Sequence, residues 1–97
     1  MEYNYNMNAK LLEPNDFRKY WCLNITGFSD NYDINDIQHM NIKLAIDELK
    51  EYNFNINIES ETSNWMLIEI LYDNEELILE HSLLICRFIS PKLELQI

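Results

Sequence analysis

The sequence predicts one α+β domain of ferredoxin-like type: a four-stranded antiparallel sheet, two helices on one face, and an N-terminal arm. Three observations point there. Four segments carry strand-like apolar patterns, and two others place apolar residues at helical spacing. These six segments follow in the order β-α-β-β-α-β, the split β-α-β arrangement with spatial strand order 4-1-3-2. Finally, 97 residues with 47% apolar content suit a single hydrophobic core, and one Gly and two Pro leave little room for linkers.

Residues 1–19 read as the arm and residues 20–97 as the domain. The first eight residues are polar and aromatic without periodicity. Leu11, Leu12 and Phe17 then surround Pro14, and Asn15-Asp16 suits the start of a short helical turn. From Tyr20 to Phe28 the pattern alternates, with Trp21, Leu23 and Ile25 on one side and Tyr20, Cys22, Asn24 and Thr26 on the other. Gly27 and Ser29-Asp30-Asn31 supply turn chemistry.

Residues 33–52 form the first expected helix, with Asp33 as N-cap and Asp36 in the first turn, where the helix dipole favours an acid. Ile34, Ile37, Ile42, Ala45, Leu49 and Tyr52 share its apolar stripe. Asn53 stops it. Residues 54–59 alternate with Phe54, Ile56 and Ile58 inward, and Ser60 to Asn64 make a turn. Trp65 to Tyr72 is apolar on both faces, as a central strand would be. Asp73 and Glu76 have capping-box spacing and introduce a second helix over residues 74–89. That helix is apolar nearly all round apart from Glu76, Glu80 and Arg87, which predicts burial on more than one side. Pro91 ends it, and Lys92 to Ile97 alternates with Leu93, Leu95 and Ile97 inward.

Charge is the strongest functional signal. Seventeen acids against seven bases give a net charge of −10 and a pI near 4.4. Such a chain is repelled by phosphate backbones and anionic membranes and associates fastest with basic partners. The start of the chain lacks the basic and apolar regions of a signal peptide. No stretch approaches the ~20 apolar residues that cross a bilayer. Cys22 and Cys86 lie far apart in apolar runs, as reduced, buried cysteines do. A cytoplasmic protein is expected.

In the expected topology one sheet face stays open, with Tyr20, Cys22 and Asn24 beside Trp65, Leu67, Glu69 and Leu71. Flanks of Asn55, Asn57 and Glu59 on one side and Lys92, Glu94 and Gln96 on the other would rim it. Such a face fits protein contact, unless the arm folds over it. An aromatic nucleic-acid platform is disfavoured, because Glu59, Glu69 and Glu94 face a single Lys92 there. The topology also gathers Asp30, Asp33 and Asp36 with the hairpin acids Glu59 and Glu61. The candidate partner-binding set is therefore Tyr20, Asp30, Asp33, Asp36, Glu59, Glu61, Trp65, Leu67 and Glu69.

No nucleotide, zinc-protease or calcium-loop motif occurs, so neither catalytic residues nor a cofactor are expected. His39 and His81 are each solitary in sequence, and Cys22 should face away from the helix carrying His81. The expected function is non-enzymatic binding that blocks a basic nuclease or nucleic-acid-binding complex. Toxin immunity and phage-encoded anti-defence inhibition, of which anti-CRISPR proteins are one kind, are suitable settings. The competing expectation is a structural or regulatory module that self-associates through the open sheet face or the second helix.

Overall fold

The computed structural model of the chain describes residues 7–27, 37–62, 65–91 and 93–96, with only the backbone for 37–39. The expectations for Asp30, Asp33, Ile34, Asp36 and Lys92 lie outside the described residues, as do those for the side chains of Ile37 and His39 and the inward placement of Ile97. Five strands and two helices follow in the order β1 (Asn8–Leu12), β2 (Trp21–Thr26), α1 (Ile37–Glu51), β3 (Ile56–Glu61), β4 (Trp65–Ile70), α2 (Glu75–Ile89) and β5 (Leu95–Gln96). The α+β class is as the sequence implied. The sheet is not: it is five-stranded and mixed, in the order β3-β4-β2-β1-β5, with β1 and β5 parallel and the other neighbours antiparallel.

The extra strand comes from the segment read as an arm. Residues 8–12 stand between β2 and β5 instead of lying over the sheet. Ala9 and Leu11 are the reason: two residues apart, they point to one side and are buried in the core. The eight residues from 13 to 20 then connect β1 to β2. Asn15 organises that connection as a turn and not as a helical start. Its Oδ1 accepts from the backbone N–H groups of Phe17 and Arg18, each at 2.8 Å, and its own N–H donates to the Arg18 carbonyl at 2.9 Å. Phe17 does not fold over the open face but is 95% exposed at this turn.

One core joins both helices to one side of the sheet. Ile42, Ile46 and Leu49 of α1 and Ile78, Ile85 and Cys86 of α2 share it with Ala9, Leu11, Leu23, Ile25, Ile56, Met66, Ile68 and Ile70. Each fully buried Leu, Ile or Met side chain among them contributes about 1.5–3 kcal/mol. Ile46, left out of the predicted stripe, is central to it, whereas Tyr52 is exposed. Helix α1 ends in a Schellman motif. Asn53 takes the left-handed conformation at φ 69°, its N–H donates to the Lys50 carbonyl, and Phe54 N–H donates to the Leu49 carbonyl.

Helix α2 starts one residue later than the capping-box spacing implied. Asn74 is the N-cap, and its Oδ1 accepts from Leu77 N–H at 3.1 Å, so Asp73 stands outside the helix. The helix buries Ile78, Ser82, Ile85 and Cys86 along one side. It is not enclosed on the others: Leu77, Leu79, Leu83, Leu84 and Phe88 are exposed. Beyond Pro91, Leu93 is buried, and the last strand shortens to two residues paired with Ala9 and Lys10.

Candidate functional site

The face of the sheet turned away from the helices is built in rows by the strand register. Leu12, Cys22, Glu69 and Asn57 form one row across β1, β2, β4 and β3; Lys10, Asn24, Leu67 and Ser60 form the next. Asn8, Thr26 and Trp65 follow. Of the expected site residues, Trp65, Leu67 and Glu69 therefore belong to this face, and Glu59 lies near enough to act on its Cys22 thiol. Tyr20 precedes β2 directly, and Lys19 Nζ lies 5.4 Å from its ring centre. Trp65, Leu67, Glu69 and Tyr20 are all half-buried, so the aromatic and leucine surface is smaller than the open topology implied.

Insertion of β1 also changes the electrostatics of this face. The flank expected from Glu94 and Gln96 is taken instead by Asn8, Lys10 and Leu12. Arg18, from the connection before β2, lies near enough to act on the Cys22 thiol, together with Glu69 and Glu59. Its guanidinium Nη2 donates to the Glu13 carbonyl at 3.0 Å. Burial raises the Cys22 pKa, Glu69 and Glu59 reinforce the rise, and Arg18 opposes it. The face is thus acidic along β3 and β4 and carries Lys10 on β1, while the connection balances Arg18 and Lys19 with Glu13 and Asp16.

A β-bulge decides the fate of the hairpin acids. Ile58 pairs with Ile68 and Ser60 with Leu67, so Glu59 is the extra residue. The shift reverses the side-chain alternation beyond it. Glu61 pairs with Met66, which is buried under the helices, and so turns to the helix side. There its Oε1 meets Lys43 Nζ of α1 at 2.6 Å, with the Glu61 side chain 17% exposed. Glu59 stays exposed and accepts from Ser60 Oγ. The two hairpin acids expected to act together point to opposite sides of the sheet.

His81 is held by packing. Its Nδ1 lies 2.8 Å from the Tyr72 hydroxyl, which also accepts from Asn55 N–H at 3.2 Å, and its ring stacks on Phe54 at 4.2 Å. Cys22 lies on the opposite side of the sheet from α2, so the two cannot form a nucleophilic pair. Cys86 is buried under α2, and that burial pushes its thiol up to about 11 from an ordinary 9.0, with Arg87 slightly opposing. Among the described residues no group of three or more His, Cys, Asp or Glu is placed to hold a metal ion, and no helix is long and apolar enough to cross a membrane.

Among the described residues most exposed large apolar side chains are on the helices; the sequence named the second helix as a contact surface only in the self-association reading, and otherwise predicted its burial on more than one side. Helix α2 presents Leu77, Leu79, Leu83, Leu84 and Phe88, and α1 presents Met40 and Leu44. Exposed acids surround them: Asp47, Glu48 and Glu51 on α1, Asp73 before α2, and Glu75, Glu76 and Glu80 on α2. Among the described residues of the two helices, Lys50 and Arg87 are the exposed bases, since half-buried Lys43 is engaged by Glu61. The signal was legible as a helix apolar on most sides. Comparison with family models, with curated proteins and with solved structures finds no match.

Proposed function

We propose that the chain is a non-enzymatic, acidic binding protein that occupies a basic nucleic-acid-handling enzyme or complex in the cytoplasm and blocks it. One observation carries this reading: exposed acids on both helices stand beside exposed apolar side chains with few bases to neutralise them. Charge of one sign steers a basic partner to the surface, and apolar side chains at its centre supply buried area. Inhibition would be steric and electrostatic, as in toxin immunity or anti-defence proteins. Glu59, Glu69, Trp65 and Leu67 on the sheet face are a secondary contact region in this reading. We read the fold itself as a ferredoxin-like core widened by β1.

The test is salt. Partners are captured on the immobilised chain from the source cell at ~50 mM and ~200 mM salt, and each captured enzyme is assayed on its nucleic-acid substrate with added chain. Basic partners, lost steeply at the higher salt and inhibited in stoichiometric titration, are the expected result. Partners that are acidic, or binding that ignores salt, would remove the electrostatic mechanism. The exposed leucines of α2 favour a second reading, self-association. A tight, salt-insensitive dimer in sedimentation at micromolar concentration would establish it.

A further inference from the structure

We infer that the outward stripe of α2, formed by Leu77, Leu84 and Phe88, docks a basic amphipathic helix of a partner protein. This rests on the proposed function for the sign of the partner's charge, and adds where and in what form the partner binds. At ~100° per residue the three positions fall within about 40° of one another along the helix. They are 37%, 48% and 45% exposed, although they belong to the most apolar helix of the chain. Three large side chains in line over three turns are more than scattered surface apolarity.

The borders of the stripe define its occupant. On one side lies His81, held by Tyr72 and Phe54, so that border is packed and rigid. On the other lie Glu80 and Glu76, with Arg87 between them around the helix. Helix α1 touches α2 and turns Met40 and Leu44 outward, opposite its buried Ile42, Ile46 and Leu49. Asp47 and Glu51 follow them on that outward side. An apolar line on helices whose exposed acids outnumber their exposed bases, Lys50 and Arg87, matches a helix with apolar anchors at i, i+4 and i+7 and Lys or Arg on its flanks. A second copy fits poorly. A two-fold contact would bring the acid-rich helix surfaces of both copies together, and like charges so placed oppose association.

The experiment uses the full chain and a labelled synthetic peptide of ~18 residues, with Leu on one helical face and Lys on the other. Two controls accompany it: the same peptide with Glu for Lys, and a scramble of equal composition whose Leu residues share no face. Fluorescence anisotropy should show binding of the first peptide, weakened about tenfold or more by Leu84→Ser with Phe88→Ser. Amide shifts should concentrate on residues 77–88. These side chains are exposed, so folding should survive; if the double variant unfolds, Leu77→Lys alone carries the test. Equal binding of the scramble would reduce the effect to charge and overturn the inference. So would shifts centred on Trp65 and Leu67, or a dimer that the stripe variants dissolve. Basic partners still captured by the stripe variants would sink this inference alone, whereas no capture of basic proteins by the unmodified chain would sink the proposed function.

Discussion

At the scale of the residue, position in the fold sets chemistry more than residue type does. Cys22 and Cys86 are both free and both buried, and burial raises both pKa values. Neither should react with a thiol reagent at neutral pH while the chain is folded, and both should react once urea unfolds it; quantitative labelling in each state checks this. The same shifts link to stability. The unfolded thiols and the Tyr72 phenol, whose pKa burial also raises, lose protons at a lower pH than the folded ones. Their contribution is therefore complete below pH ~9 and is lost as pH rises toward ~11 and beyond. Cys86→Ala should flatten part of that alkaline loss in urea titrations between those values. The α2 cap gives a second residue-scale outcome. Asn74→Ala should cost about 1 kcal/mol in urea unfolding, whereas Asp73→Ala, outside the helix, should cost a few tenths.

At the scale of the element, the bulge in β3 is the informative feature. It turns Glu61 inward onto Lys43 and leaves Glu59 as an exposed charge on the strand at the sheet's edge. Edge strands with bulges and charges resist pairing with other chains. Deleting Glu59 leaves Ile58 opposite Ile68 and Ser60 opposite Leu67, so the register survives. That variant should fold within about 1 kcal/mol of the parent yet aggregate faster on prolonged incubation, followed by light scattering. Deletion causing global unfolding would mean that the bulge is needed for the hairpin itself. Lys43→Met should destabilise more than Lys50→Met, because it strands a mostly buried carboxylate, whereas Lys50 is exposed. Helix α2 makes the opposite point. Its exposed leucines are only partly packed, so Leu84→Ser should cost about 1 kcal/mol, while Ile85→Ala, one residue on and fully buried, should cost about 2–5 kcal/mol.

At the scale of the whole molecule, a net charge of −10 acts on stability. Self-repulsion between acids should be relieved by salt, so the urea midpoint should rise between low salt and ~0.5 M sodium chloride. A fall would show that ion pairs such as Lys43–Glu61 outweigh the repulsion. By itself the sequence determined the α+β class, both helices, the strands β2 to β4 and the inward set Leu23, Ile25, Ile56, Met66, Ile68 and Ile70. These follow from local periodicity, since side-chain direction repeats every two residues in a strand and every 3.6 in a helix. It also determined the acidity, a net charge of −10. Only the tertiary structure decided that residues 8–12 enter the sheet, because a two-residue apolar alternation gains its burial from β2 and β5, far along the chain. Only there does one bulge separate Glu59 from Glu61. And a helix apolar on most of its circumference does not say which side will meet the sheet; packing chose Ile78, Ile85 and Cys86, and left Leu77, Leu84 and Phe88 facing out.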